Sequence, residues 1–125
     1  MITQIRSLRK STGGRYKSKI SKRKFSMARS PSATKIGSRK PKSLRCIGGN
    51  RKVRLLSSDT VNVLDPKTKK HSKATIQTVD ENPANQHFIR RNILTKGSIV
   101  DTDKGKVKIT SRPGQQGSVD GILVQ

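Results

Sequence analysis

The sequence predicts a mainly β protein: a small antiparallel β-barrel with one short helix, preceded by a long, basic, extended N-terminal arm. Charge is the first observation behind this prediction, since positions 1–58 hold 18 Lys and Arg residues and no acidic residue, whereas positions 59–125 hold 11 basic and 7 acidic residues. Periodicity is the second, because apolar residues beyond position 50 recur at every second position between turn-forming residues. That pattern is typical of short strands with one buried face.

The arm is expected to span 1–42 and to lack any internal source of negative charge. A compact state of such a segment would repel itself, so we expect it to become ordered on an external polyanion. Tyr16, Ile20 and Met27 fall near one helical face and allow a short helix over 16–28. Three apolar residues stabilise a helix poorly in water, and an arm that is disordered when free is the favoured alternative.

The barrel domain is expected to span 43–125. Alternating apolar and polar residues predict strands at 43–46, 51–56, 60–64, 71–79, 93–94, 98–102, 106–111 and 118–124. Asp65 followed by Pro66 predicts a type I turn. Asn82 followed by Pro83 is typical of a helix start, so one short helix should run to about Arg90. Six or seven of these short strands are enough, at this spacing, to favour a closed or nearly closed antiparallel barrel.

The predicted core consists of the apolar residues that the alternation places on inner faces. These are Val53, Leu55, Val61, Val63, Ile76, Phe88, Ile93, Ile99, Val107, Ile109, Val119, Ile122 and Val124.

Cysteine usage and hydropathy exclude several classes of protein. Cys46 is the single cysteine, so the chain cannot form an internal disulfide, which fits the reducing cytoplasm. Neither a signal-peptide core nor the roughly 20 consecutive apolar residues of a membrane span is present in the sequence. We therefore expect a cytoplasmic protein without a membrane partner.

Candidate catalytic residues are few. Asp101 and Asp103 have the spacing of a strand pair, as a nuclease would require, but residues at a solvated hairpin end are the better interpretation. His71 and His87 show no metal-ligand spacing, even with Cys46 included. We expect no enzymatic activity, metal, cofactor or small-molecule substrate.

The basic arm instead predicts binding to nucleic acid. Ordering a long flexible segment costs about 1 kcal/mol or more per residue, which only a large folded polyanion can offset. Tyr16, Phe25 and Phe88 are the only aromatic residues, too few to form a platform on which single-stranded bases stack. A folded RNA contacted through its backbone and shape is therefore the preferred partner.

Several sequence blocks, in a fixed order along the chain, resemble those of a known protein family. The chain resembles the small-subunit ribosomal proteins numbered eight in the archaeal and eukaryotic "e" series, and its length resembles that of the archaeal members. The blocks that carry the resemblance are 9–15 (RKSTGGR), 22–25 (KRKF), 34–37 (TKIG), 48–54 (GGNRKVR), 81–85 (ENPAN), 90–92 (RRN), 95–97 (TKG) and 110–115 (TSRPGQ).

The resemblance implies a β-barrel seated on small-subunit rRNA in the cytoplasmic ribosome, with the arm threaded into folded RNA beside neighbouring ribosomal proteins. It implies no catalytic activity. Two segments depart from the family pattern. Residues 25–29 (FSMAR) stand where the family usually shows an aromatic residue, an acidic residue and a glycine, and Cys46-Ile47 replaces a more basic approach to the Gly-Gly-Asn turn.

The expected RNA contacts flank these blocks. Gly48 and Gly49 should form a tight turn and permit close backbone approach. In the arm the predicted contacts are Arg9, Lys10, Gly13, Gly14, Arg15, Lys22, Arg23, Lys24, Lys35 and Arg39. Beyond it they are Gly48, Gly49, Asn50, Arg51, Lys52, Arg54, Arg90, Arg91 and Arg112. For the last three, simple solvent exposure is an equally weighted alternative.

Two rival functions follow from the same residues. A DNA-compacting chromatin protein would share the charge but would bind duplex DNA as well as it binds rRNA. A small RNA-cleaving enzyme would use Asp101, Asp103 or His87 and would cleave purified RNA.

Overall fold

The computed structural model describes residues 6–17, 21 and 23–124, and the chain divides into two compact units, 1–31 and 32–125. A 3-10 turn at Lys24–Ser26 lies in the first unit, and a second one at Ile47–Gly49 lies in the second unit. The strands of the second unit are β1 (Lys40–Arg45), β2 (Arg51–Ser57), β3 (Thr60–Leu64), β4 (His71–Glu81), β5 (Ile99–Thr102), β6 (Gly105–Ile109) and β7 (Asp120–Leu123). Its helices are α1 (His87–Arg90) and α2 (Pro113–Gln116).

The predicted β-barrel is confirmed, and its closure differs from the prediction in one respect. Strands β3 to β7 form a closed barrel in sequence order, while β1 and β2 form a separate two-stranded sheet. Each successive barrel pair is antiparallel, but β3 and β7 pair in parallel. With five strands that alternate in direction, the first and the last run the same way, so the closing pair must be parallel. The barrel is therefore mixed rather than purely antiparallel.

The core fills the barrel and extends to Leu55, near the end of β2. Leu55, Val61, Val63, Ala74, Ile76, Val79, Leu94, Val100, Val107, Ile109 and Val119 form one cluster of buried side chains. Most predicted core positions are buried, but Val53, Ile122 and Val124 are exposed, and Phe88 and Ile99 are only half-buried.

Two short strands account for part of this difference. On β5 the buried residue is Val100 instead of Ile99, and on β7 it is Gly121 instead of Ile122. Both strands contain consecutive apolar residues, so either phase of the alternation fits the sequence, and a shift of one residue exchanges the faces.

Gly121 lies where the barrel closes. It pairs with Val63 of β3 on one side and with Ile109 of β6 on the other. A Cβ atom at this position would lie 2.4 Å from Cγ1 of Val107 and 2.9 Å from the carbonyl oxygen of Lys108. The closure therefore has space for glycine only.

The segment after β4 differs from the predicted helix. Helix α1 begins at His87, whose N–H donates to Asn85 Oδ1 at 2.9 Å, so Asn82 does not cap it. Asn82 is buried instead: its amide donates to the Ile93 carbonyl at 3.2 Å and accepts from the Thr95 hydroxyl at 3.0 Å. This side chain ties β4 to the connection that was predicted as a strand at 93–94. In the described residues Ile93 contributes only an isolated bridge, to Lys35.

A turn joins β3 and β4 at the predicted place with Asp65 in its first position, and it closes through the Lys69 N–H, which donates to the Asp65 carbonyl at 2.9 Å. The Asp65 carboxylate accepts from the backbone N–H of Lys67 at 2.9 Å and from the hydroxyl of Thr68 at 2.8 Å. Lys69 then takes a left-handed conformation, with φ of 55°. The turn is thus held by the Asp65 side chain and by the left-handed conformation of Lys69.

Candidate nucleic-acid interface

The β1–β2 hairpin places cations directly opposite one another. Lys42 of β1 faces Arg54 of β2, and Arg45 faces Arg51. The Lys42, Arg45 and Arg51 side chains are exposed. Like charges at opposed positions of an antiparallel pair destabilise it, and an anion lying along the sheet relieves this repulsion. The hairpin is therefore electrostatically matched to a polyanion.

The Gly-Gly-Asn turn closes this hairpin. Gly48 and Gly49 both have left-handed backbones, with φ of 71° and 76°. The N–H of Cys46 donates to the Asn50 carbonyl at 2.7 Å, and the Asn50 amide donates to the Ile47 carbonyl at 3.1 Å. Two consecutive left-handed residues explain why two glycines occupy the tip. The Asn50 side chain helps to hold the turn.

Helix α2 supports the hairpin from the barrel side. Lys52 Nζ donates to Gln115 Oε1 at 3.3 Å, and Arg54 Nε donates to the Gly114 carbonyl at 3.2 Å. A Cβ atom at Gly117 would lie 2.8 Å from Cγ1 of Val53. Pro113 takes the first position of α2, and the left-handed Gly117, with φ of 73°, ends it. Arg112 precedes that helix with an exposed side chain.

The block at 34–37 is a backbone strap between the hairpin and the 92–94 connection. Thr34 is buried, its hydroxyl donates to the Leu55 carbonyl at 2.7 Å, and its carbonyl accepts from Leu94 N at 2.8 Å. Lys35 N donates to the Leu56 carbonyl at 3.0 Å, and this hydrogen bond holds the backbone. The Lys35 side chain is exposed. Arg39 follows, also exposed.

The residue that follows Arg90 and Arg91 contacts the same strap. Both are exposed at the end of α1. Asn92 takes a left-handed conformation, with φ of 49°, and its carbonyl accepts from Ile36 N at 3.3 Å. Asparagine tolerates this conformation better than most residues. The turn brings the backbone after the arginine pair beside the strap that carries Lys35.

The first unit contains a small loop built on the block at 9–15. Arg9 and Arg15 form an antiparallel bridge, and the N–H of Lys10 donates to the Gly14 carbonyl at 2.8 Å. Gly13 is left-handed, with φ of 84°, and its carbonyl accepts from the Arg9 guanidinium at 2.9 Å. The glycine pair therefore forms a defined turn that sets two arginines opposite each other.

Arg23 and Lys24 belong to the 3-10 turn of the first unit. The Ser26 hydroxyl donates to the Arg23 carbonyl at 2.8 Å, and the Arg23 guanidinium lies 5.9 Å from the centre of the Phe25 ring. Lys22 lies outside the described residues, as do 18–20. Of the helix considered over 16–28, the described part contains this 3-10 turn alone.

Comparison with known proteins identifies the family. The sequence profile of the family described as "Ribosomal protein S8e" matches residues 3–124. The chain belongs to this family. It is 51% identical over 124 residues to the small ribosomal subunit protein eS8 of Methanocella arvoryzae, with 99% of both chains covered. It is 50% identical over 125 residues to the eS8 of Methanosarcina barkeri, with 100% of both chains covered. The eS8 of Methanococcus aeolicus is 49% identical over 124 residues, covering 98% of this chain and 97% of that protein.

Membership in the S8e family confirms the predicted resemblance over the whole chain, including its archaeal length. It also confirms the expectation of a non-enzymatic ribosomal protein and therefore contradicts the RNA-cleaving alternative.

The carboxylates of this S8e chain are used within the fold. Asp103 accepts from Thr75 N at 3.1 Å, and Asp101 lies on β5 opposite Lys106. Asp80 accepts a hydrogen bond from the Lys106 ammonium at 2.5 Å and thereby raises the pKa of Lys106.

Among the described residues, no three His, Cys, Asp or Glu side chains are grouped closely enough to hold a metal ion. In the same part of the chain, no helix has the length and apolar character needed to cross a membrane.

The S8e hairpin contains two cations that the predicted contact set did not include. Lys42 and Arg45 lie on β1, which begins at Lys40 rather than at Ser43. Their pairing follows from the three-residue turn Ile47–Gly49, because counting outward from Gly48 places Arg45 against Arg51 and Lys42 against Arg54. A turn of the two glycines alone, as predicted, would have placed Arg45 against Lys52. Pro41 argued against extending the predicted strand to Lys42, because proline within a run argues against a strand unless that strand lies at an edge.

Proposed function

We propose that the chain is a structural constituent of the small ribosomal subunit that binds and stabilises folded rRNA by neutralising its phosphates, and so supports subunit assembly and translation. The names of its relatives assign them to the small ribosomal subunit. The relatives match this chain over nearly its full length, so the proposal concerns all of its segments. Neighbouring small-subunit proteins are further expected partners.

The observation that carries the proposal is the opposition of like charges at defined positions. Arg9 and Arg15 are opposed in the first unit, and two further cationic pairs are opposed in the β1–β2 hairpin. The sequence places no acidic residue before Asp59 that could offset them locally. Such an arrangement costs stability in the free chain and is relieved by phosphates.

Phosphate contact is assigned to exposed cations on constrained backbone. In the second unit these are Lys35, Arg39, Arg51, Lys52, Arg90, Arg91 and Arg112, together with Lys42 and Arg45. In the first unit they are Arg9, Lys10, Arg15, Arg23 and Lys24. Gly13, Gly14, Gly48 and Gly49 shape the turns, and Asn50 and Arg54 brace the hairpin. Backbone contacts of this kind position a protein on RNA without reading its sequence.

The proposed division of labour follows the charge. Residues 1–42 act as the RNA-binding arm, which ends in the first half of β1, and 43–125 supply the barrel and the rest of the hairpin. The arm contributes most of the neutralising charge, whereas the barrel holds the hairpin in a fixed geometry.

Binding of small-subunit rRNA at several salt concentrations tests the proposal. If 6 to 10 phosphates are neutralised, affinity should fall roughly a thousandfold or more between 50 and 200 mM salt. The double variant Arg45→Gln with Arg51→Gln should weaken binding and lower the salt slope by about two contacts. Lys67→Gln with Lys70→Gln removes the same charge from the exposed β3–β4 turn and should change neither value.

Competition and sedimentation complete the test. Excess duplex DNA should displace little of the bound rRNA, and the protein should travel with small subunits on a sucrose gradient after a moderate salt wash. Equal competition by DNA, or protein left at the top of the gradient, would contradict the proposal and favour the chromatin alternative.

A further inference from the structure

The tip of the β1–β2 hairpin presents an apolar side chain to solvent. Ile47 is 95% exposed, whereas the other exposed large apolar residues described in the second unit, Val53, Leu56, Ile122 and Val124, are 38–44% exposed. Exposed aliphatic side chains are common singly, but one that is this exposed at a hairpin apex contributes little to folding. The free energy available from removing Ile47 from water therefore remains unused in the isolated chain.

The backbone fixes where this side chain points. The Ile47 carbonyl accepts from the Asn50 amide at 3.1 Å, and the neighbouring Cys46 N–H donates to the Asn50 carbonyl at 2.7 Å. Gly48 and Gly49 complete the turn in left-handed conformations. A contact made by Ile47 thus requires little ordering of the backbone, which favours binding.

Charge around the tip selects the partner. Arg45 and Arg51 lie opposite each other in the β1–β2 register, at the end of the hairpin that carries the turn. Neither β1, β2 nor the turn between them contains an acidic residue. A surface that accepts Ile47 must also accept this cationic pair. Folded RNA offers both features, because phosphates border bases whose faces are apolar.

RNA geometry narrows the contact further. Bases within a continuous A-form helix are stacked, and its major groove is too narrow to be read by side chains. Bases at loops, bulges and helix ends can be unstacked and present a free face. The minor groove is accessible but is lined by 2′-hydroxyls and base edges, so a base of this second kind is the apolar surface that RNA offers to Ile47.

We propose that Ile47 packs against an unstacked nucleobase of the small-subunit RNA while Arg45 and Arg51 hold the adjoining phosphates. This inference rests on the proposed rRNA binding and gives it a preferred site, which phosphate neutralisation alone does not supply. The hairpin tip then acts as an apolar anchor within a cationic surface.

Three substitutions at position 47 separate an apolar contact from an electrostatic one. Small-subunit rRNA is titrated with each variant at three salt concentrations. Ile47→Ser should bind about tenfold more weakly at every salt concentration with an unchanged salt slope, because no phosphate contact is lost. Ile47→Leu should bind like the wild type. Ile47→Lys should bind more weakly than the wild type although it adds a positive charge.

Ile122→Ser is the matched control, since it removes an exposed aliphatic side chain from the barrel and should leave affinity unchanged. Ile47 has no packing role in the fold, so thermal unfolding of its variants should match the wild type. Tighter binding and a steeper slope for Ile47→Lys would overturn the inference, as would wild-type affinity of Ile47→Ser. Ile47→Ser that binds free rRNA normally but fails to enter subunits would assign the tip to a protein partner and would equally overturn it.

Failure of the proposed function looks different. In that case the wild-type chain itself would show no salt-dependent binding to the rRNA, whatever residue stands at position 47. Intact wild-type binding with an unaffected Ile47→Ser variant would reject the anchor alone.

Discussion

At the scale of single residues, the closure of the barrel depends on Gly121. An alanine there would clash with Val107 Cγ1 at 2.4 Å and with the Lys108 carbonyl at 2.9 Å. The backbone cannot shift away easily, because this residue is paired on both sides. The missing side chain is therefore a structural requirement of the closing strand pair.

We expect Gly121→Ala to lower the free energy of unfolding by about 2 kcal/mol, within the range of overpacked cores. Chemical denaturation followed by circular dichroism measures it. Gly14→Ala is the control, because its Cβ would meet nothing closer than Thr12 Oγ1 at 3.8 Å. Unchanged stability of Gly121→Ala would mean that the closing strands separate at low cost.

Sequence periodicity identified most core residues but could not fix the phase of every strand. In β3, apolar and polar residues alternate strictly, so Val61 and Val63 were assigned correctly. In β5 and β7 apolar neighbours follow one another, and the choice between Ile99 and Val100 depends on pairing across the barrel. Long-range pairing of this kind has no local signal.

At the scale of elements, the β3–β4 turn shows how one carboxylate can hold a hairpin. The Thr68 hydroxyl, followed by the backbone N–H of Lys67, stabilises the charged form of Asp65 and lowers its pKa below the ordinary value of 3.8. The unfolded chain lacks these hydrogen bonds. The contribution of Asp65 to stability is therefore complete above the ordinary pKa and is lost as pH falls through the lowered value.

This relation predicts the titration of Asp65 in two variants. Thr68→Val removes the hydroxyl and should raise the Asp65 pKa toward 3.8, whereas Thr68→Ser keeps the hydroxyl and should retain a low value. Carboxyl carbon chemical shifts followed by NMR as pH is lowered give both values. An Asp65 that titrates alike in all three proteins would show that the hydroxyl has no influence on it.

Local sequence signals predicted the turns well and the connections less well. Asp65-Pro66 and the glycine pair at 48–49 have a conformational cause within a few residues, so both turns were found. The bridging role of Asn82 depends on Ile93 and Thr95, more than ten positions away, and the helix signal of Asn82-Pro83 was misleading for that reason. The cationic pairs of the hairpin depend on its register, which the three-residue turn Ile47–Gly49 sets and which a turn of the two glycines alone would shift by one residue.

At the scale of the whole molecule, the strap at 34–37 determines where the chain can be shortened. Thr34 and Lys35 donate to Leu55 and Leu56, and β1 begins at Lys40. These residues belong to the second unit by their contacts, although their charge resembles that of the arm.

We expect a chain that lacks 1–31 to keep its folded barrel and to lose most of its affinity for rRNA. A chain that lacks 1–42 also loses the strap and half of β1, so its melting temperature should fall by several degrees, because each kcal/mol corresponds to about 4–8 °C in a domain of this size. Thermal unfolding of both chains, with the full chain as reference, measures the difference. Equal melting temperatures would show that the strap adds nothing to stability.

Parallel closure also has a kinetic consequence. Asn62 and Asp120, which meet at the closing strands, are 58 positions apart, whereas the other barrel pairs join consecutive strands. Pairing over such a distance costs more chain entropy, so the meander from β3 to β6 should assemble first and β7 should dock last. Until it docks, the edge of β3 is open to pairing with another chain, as unprotected sheet edges are. The last strand to arrive therefore protects the barrel from aggregation during folding.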